Sequence, residues 1–194
     1  MSEQPPSSSD THPGTSSERS GTRRPDHVPA AVGVLGGGRM GAGIAHAFLL
    51  AGSRVAVVER DAASADAALQ RIRESIRRSV ARDPALNEVE ITGRLTTGRD
   101  IAAFALVDLV IEAVPEDREL KEQALARAET AMPADATLAS NTSSISIDDL
   151  SASRRRPEHF LGLHFFNPVP ASALVEIAVS YTHLTLPTIC SVEI

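Results

Sequence analysis

The sequence predicts an α/β fold, a doubly wound and mainly parallel sheet with helices on both faces. Three observations lead there. From Ala31 onward, short apolar runs rich in Val, Leu and Ile alternate with longer amphipathic segments, the pattern of repeated βαβ units. Between the first apolar run and the first helix-like segment sits a glycine cluster containing Gly36, Gly38 and Gly41. An acid, Glu59, ends the second apolar run about 20 residues further on.

The elements follow in order. Ala31–Leu35 is an uninterrupted apolar run of strand length, as expected of a parallel strand covered on both faces. Met40–Ala51 is an apolar helix, closed by Gly52. Arg54–Glu59 is the second strand, and Ala62–Val80 a long amphipathic helix. Between Asp83 and Phe104 the pattern yields one short strand, Arg94–Thr97. Asp108–Ala113 is a buried strand, Glu119–Ala131 a helix and Thr137–Ser140 a further strand, with Pro133 separating the last two. Phe160–Phe166 is strand-like. Pro168 and Pro170 break it and turn the chain back, so that Leu174–Ala178 can run alongside. There is no internal repeat.

The ends differ from this body. Residues 1–29 are rich in Ser, Thr, Pro and Arg with almost no large apolar side chains, so a disordered tail is expected, with the domain spanning 30–179. The tail lacks the apolar segment of a secretory signal. Its acids Glu3, Asp10, Glu18 and Asp26 do not suit a transit peptide. Residues 180–194 contain no Ala, Gly or Arg, all abundant before them, but hold the sole Tyr and the sole Cys of the chain. This stretch resembles translated sequencing-library adapter, and is expected to be a non-native tail on a reading frame that continues beyond Val179. The alternative is a genuine strand and loop.

Composition narrows the function class. The 194 residues carry a net charge of −6 with scattered charges, which offers no basic footprint for nucleic acid or an anionic membrane. No apolar run approaches the roughly 18 residues of a membrane span, and a single Cys makes no internal disulfide. A soluble cytoplasmic protein acting on small molecules, with no metal, no nucleic acid and no membrane partner, is the expectation.

Gly36, Gly38 and Gly41 form G-x-G-x-x-G between a strand and a helix. There the turn must be tight, and the backbone must come close to a pyrophosphate lying on the helix N-terminus. Alone, such a motif is a weak signal, with a flexible loop as the other reading. With Glu59 placed to take ribose hydroxyls, it reads as a Rossmann-type dinucleotide site, and Met40 on the first helical turn counts among the cofactor contacts. A carboxylate at Glu59 repels the extra phosphate of NADP, so NAD is the expected cofactor; Arg60 is the dissenting residue, unless it is a solvated surface charge.

His164 sits in the apolar run Phe160–Phe166, where a lone histidine is more often a satisfied core residue than a catalyst. The turn-back at Pro168 and Pro170 changes that, since it brings Glu176 near His164. A carboxylate bonded to one ring nitrogen fixes the tautomer and leaves the other nitrogen to accept a proton, which makes a general base. Ser140-Asn141-Thr142-Ser143-Ser144 directly follows a strand, where spacing alone does not decide between a ligand-facing loop and a helix cap. Lys121 is the one lysine against 18 arginines, which suggests a place that needs a compact ammonium rather than a planar guanidinium.

Three clusters, Val110-Ile111-Glu112-Ala113-Val114-Pro115-Glu116 with Lys121, then Ala139 to Ser144, then Gly162-Leu163-His164-Phe165-Phe166-Asn167-Pro168-Val169-Pro170 with Leu174-Val175-Glu176, occur in an order that resembles the 3-hydroxyacyl-CoA dehydrogenase family from about Val32 to Val179. The resemblance implies NAD-dependent oxidation of a short-chain L-3-hydroxyacyl-CoA. It implies His164 as the base, Glu176 as its support, and Ser143 and Asn167 as hydrogen-bonding partners of the substrate oxygen or the cofactor. Glu116 and Lys121 would contact the cofactor; the plainer reading of that pair is an exposed charge pair at a helix start. It also implies a helical C-terminal domain, absent here, that completes an acyl-CoA site and forms a homodimer. Ala171–Ala173 is smaller than the family's usual stretch. For CoA it points to the long helix after the second strand, with arginines such as Arg73, Arg77 and Arg78. Two alternatives stand beside this: a dehydrogenase of a free 3-hydroxy acid, and an NAD-binding module without turnover.

Overall fold

The computed structural model describes residues 28–169, 172, 174–180 and 190–193, the last four by backbone alone. Among these, eight strands form one sheet: β1 (Ala31–Leu35), β2 (Arg54–Val58), β3 (Leu95–Gly98), β4 (Leu109–Glu112), β5 (Thr137–Ser140), β6 (Phe160–Phe165), β7 (Leu174–Val179) and β8 (Cys190–Glu193). Their spatial order is β3-β2-β1-β4-β5-β6-β7-β8. The pairings from β3 through β6 are parallel, and β7 and β8 add on antiparallel. The first six strands have the doubly wound dinucleotide-binding order, so the fold is Rossmann-type as the alternating pattern predicts.

Among the described residues five α-helices accompany the sheet: α1 (Arg39–Leu50), α2 (Ala62–Arg82), α3 (Glu88–Gly93), α4 (Arg118–Ala131) and α5 (Ile147–Ala152). β1 and β5 have the bounds the sequence predicts. Helix α1 starts one residue early, because Gly38 is its N-cap, and Gly52 follows its end at φ +96°, a conformation glycine adopts freely. β4 is one residue shorter than expected at each end, although the Asp108 and Ala113 N–H groups still donate to the Ala31 and Leu35 carbonyls, and the Asp108 carboxylate also accepts the N–H of Ala31 at 2.8 Å. β3 lies one residue later than expected. The short helices α3 and α5 and the 3₁₀ turn Ile101–Phe104 were not expected. Each is too short for a periodic signal and is started by a side-chain cap from Asn87, Ser146 or Asp100.

Two apolar layers enclose the sheet. On one face Ile44 and Leu49 of α1 and Ile72 and Ile76 of α2 meet Val32, Val34, Val55 and Val57. On the other, Leu125 and Leu150 meet Val110, Leu138, Phe104 and Phe160. Fully burying such a side chain contributes about 1.5–3 kcal/mol. The Pro29 carbonyl accepts the Ser53 hydroxyl at 2.7 Å, which ties the chain just before β1 to the turn after α1. The expected tail at 1–27, Pro170 of the expected strand break, Ala171 and Ala173 lie outside the described residues, as do 181–189 and 194 of the expected non-native tail. The backbone of 190–193 pairs with β7.

One polar pair interrupts the first layer. His46 of α1 is 1 % exposed and faces Ser79 of α2, whose hydroxyl lies 3.1 Å from its Nε2. Burial, reinforced by the charges of Arg82 and Arg78, pushes the imidazole down to about 4. The unfolded chain therefore takes up this proton first as pH falls, and stability is lost from about pH 6.5 towards 4. His46→Gln should flatten that window: urea unfolding at pH 7 and pH 4 should show the unaltered chain losing about 3 kcal/mol more than the variant. Equal losses would place the histidine in water.

Candidate active site

The turn from β1 into α1 is built by close contact. Gly36 has φ +95°, and a Cβ there would lie 2.9 Å from the Ala113 carbonyl. A Cβ on Gly41 would overlap the Gly36 carbonyl oxygen, so the glycine lets the helix pack on its own entry turn. Gly38 has open space where its Cβ would be, and no side chain caps the helix it begins. The Glu59 carboxylate accepts the Gly37 N–H at 2.6 Å, which ties the end of β2 to this turn.

A crevice of about 1010 Å³ runs over these strand ends. Gly36, Gly38, Met40 and Glu59 line one part, and Glu116, Asn141, Ser143, His164 and Asn167 another. Such an unblocked glycine turn, uncapped helix start and strand-end carboxylate fit the pyrophosphate and ribose of a dinucleotide.

At the other end, β6 and β7 pair antiparallel with His164 directly opposite Glu176. Directly paired residues project to the same face, and His164 Nδ1 lies 3.1 Å from Glu176 Oε2. Both side chains are partly exposed. Asn141 Oδ1 accepts the Phe165 N–H at 2.8 Å, which anchors β6 to the loop after β5.

Glu116 organises that loop. Its Oε1 accepts the Thr142 hydroxyl at 2.6 Å, the N–H groups of Ser143 and Ser144 at 3.0 and 3.1 Å, and the Ser144 hydroxyl at 3.0 Å. The Ser143 hydroxyl lies 3.4 Å away. Burial pushes this carboxyl up, but the Thr142 hydrogen bond, the Lys121 charge and the Ser143 N–H outweigh it and hold it down at about 2.

A model of the family described as "3-hydroxyacyl-CoA dehydrogenase, NAD binding domain" matches residues 31–186. The chain belongs to the 3-hydroxyacyl-CoA dehydrogenase family. A 3-hydroxybutyryl-CoA dehydrogenase of Mycobacterium tuberculosis is 43 % identical over 155 residues, covering 75 % of this chain and 52 % of the relative. One of Bradyrhizobium diazoefficiens is 37 % identical over 148 residues, covering 75 % and 50 %. The crystal structure of (S)-3-hydroxybutyryl-CoA dehydrogenase from Ralstonia eutropha superposes with a TM-score of 0.73 at 34 % identity, covering 79 % of this chain and 56 % of that one. The chain spans about half the length of the curated relatives it matches.

Within this member of the 3-hydroxyacyl-CoA dehydrogenase family, two expected cofactor contacts, Gly41 and Lys121, do not line the crevice. Lys121 has no exposed surface; its ammonium lies between Glu112 Oε1 at 2.9 Å and Glu116 Oε2 at 3.2 Å. It is therefore not an exposed helix-start charge, because strand-end Glu112 draws it inward. Among the arginines expected for CoA, Arg77 instead pairs with Glu88 at 3.2 Å. Arg78 does line a second cavity of about 730 Å³, together with Arg39, Arg71 and Arg82, which the sequence reading missed. Residues 71, 78 and 82 share one face of α2 at spacings of seven and four, and that periodicity was the available signal.

Glu116 gives a pH test. Its depressed carboxyl contributes stability fully above its ordinary value of 4.5, which is lost as pH falls through about 2. The amide resonances of Ser143 and Ser144 should therefore hold their positions from pH 7 down to about 3 and move only near 2. A midpoint near 4.5 would mean that the tether is not made.

Proposed function

We propose that this chain is the cofactor-binding part of an NAD-dependent L-3-hydroxyacyl-CoA dehydrogenase acting on a short-chain substrate such as 3-hydroxybutyryl-CoA. The observation that carries the reading is the His164–Glu176 pair, held at 3.1 Å, with His164 on the same crevice as the glycine turn and Glu59.

Glu176 accepts the Nδ1 proton of His164 and so fixes the tautomer in which Nε2 carries a free lone pair. Nε2 then removes the proton from the substrate's 3-hydroxyl as the C3–O bond gains double-bond character. Ser143 and Asn167 donate hydrogen bonds to that oxygen, or steady the neighbouring cofactor. NAD⁺, when bound, accepts the hydride leaving C3. Glu59 takes the ribose hydroxyls, and the glycine turn lets the pyrophosphate reach the start of α1. Arg71, Arg78 and Arg82 face the second cavity, where guanidinium groups suit the phosphates of a CoA tail.

Glu59 also favours NAD over NADP, since a 2′-phosphate would meet its carboxylate. Arg60, the group that could offset this, is turned to Asp61 at 3.1 Å. NADP⁺ should bind at least about tenfold more weakly than NAD⁺ by calorimetry, and Glu59→Ala should narrow that gap. Equal affinities would contradict this role for Glu59.

NADH formation from L-3-hydroxybutyryl-CoA tests the activity, measured on this chain and on the reading frame extended from genomic DNA. His164→Ala should lower kcat about 10²–10⁴-fold, and Glu176→Gln by a smaller factor. An active protein that is indifferent to His164→Ala, or that turns over free 3-hydroxybutyrate equally well, would refute the reading. So would an extended protein that binds NAD⁺ but oxidises nothing.

A further inference from the structure

The two cavities meet at one wall. Arg39 and Arg71 line both the dinucleotide crevice and the second cavity, whereas Arg78 and Arg82 line only the second. Arg39 is the first residue of α1, directly after Gly38, and its guanidinium has no hydrogen-bond or ion-pair partner among the described residues. Arg71 reaches across from α2, and its Nη1 donates to the Gly37 carbonyl at 3.3 Å, so its guanidinium stands against the glycine turn. No acid is among the residues that line the second cavity. In a chain of net charge −6, cations left without an internal counter-charge where two cavities join suit anions brought from outside.

We infer that Arg39 and Arg71 form a cationic wall shared by the two cavities, which binds the pyrophosphate of the dinucleotide on one side and the phosphates of a CoA-type ligand on the other. The inference rests on the proposed function for the identity of the two ligands. Two features support it. The Gly36 N–H is already given to the Val58 carbonyl and the Gly37 N–H to the Glu59 carboxylate, so the turn has backbone donors to offer only from Gly38 onward. A doubly charged diphosphate resting there gains from side-chain charge that the backbone does not supply. A guanidinium also carries five N–H donors in a planar fork, enough to serve acceptors on both of its sides, and of these Arg71 has committed one to Gly37.

Calorimetric titration with NAD⁺, with coenzyme A and with inorganic pyrophosphate tests the wall. Arg39→Gln and Arg71→Gln should each weaken both NAD⁺ and coenzyme A about five- to tenfold, and Arg39→Lys should recover part of each loss. Arg78→Gln/Arg82→Gln should weaken coenzyme A while NAD⁺ stays within about twofold, because those side chains do not line the crevice. Inorganic pyrophosphate, which has no adenosine to hold it, should lose at least about tenfold in Arg39→Gln/Arg71→Gln. All four arginines are exposed, so an unchanged urea midpoint should show each variant to be folded. Loss of one ligand alone in the Arg39 and Arg71 variants, or pyrophosphate binding that does not depend on them, would overturn the inference. An unaltered protein that takes up pyrophosphate through Arg39 and Arg71 but neither NAD⁺ nor coenzyme A would count against the proposed function while upholding the wall as a diphosphate site.

Discussion

One row of backbone pairing governs the molecule. In the parallel ladder Leu35 is matched with Val58 and with Glu112, Glu112 with Ser140, and Ser140 with Gly162. Parallel strands need a crossover that returns the chain to the opposite edge, so every strand reaches this row travelling the same way. What lies just past the row shares one edge: the Gly36 turn, Glu59, the Ala113–Glu116 segment, Asn141–Ser144 and, two residues on, His164. A one-residue slip in any strand would move its functional group by about 3.3 Å and turn its side chains to the other face.

The same edge carries the costs of the design. Apolar packing on both faces fills the sheet interior, yet at its carboxyl end Glu112, Lys121 and Ser140 are all buried. Removing such groups from water is unfavourable, and hydrogen bonding offsets it only when complete. Every polar atom of that cluster has a partner, and the partners reach across three elements. His46 shows the contrasting arrangement, a buried polar group kept neutral, with Nδ1 lacking a hydrogen-bond partner among the described residues.

Much of this was legible in the residues. The short apolar runs and the longer amphipathic ones fixed the order of the main strands and helices to within a few residues, because parallel strands buried on both faces read as plain apolar runs. The meeting of His164 and Glu176 followed from the proline break between them, which leaves the chain little choice but to fold back. Lys121 was legible only in part. As the one lysine it marked a place for a compact ammonium, but the acid that buries it sits nine residues earlier at the end of a strand, beyond the reach of helix spacing. Arg71 and Arg82 were passed over for Arg73 and Arg77, a question of which face of α2 meets the cavity. The short helices α3 and α5 rest on single capping contacts, too local to show in any periodic pattern.

The most direct test is a crystal structure of the chain with NAD⁺, because the proposed function assigns the cofactor a place and a direction along the strand-end row. The adenosine ribose should lie at Glu59, the pyrophosphate over the Gly36–Gly38 turn, and the nicotinamide at the end lined by Ser143, His164 and Asn167. A cofactor bound in the reverse direction, or a nicotinamide out of reach of His164, would contradict that assignment.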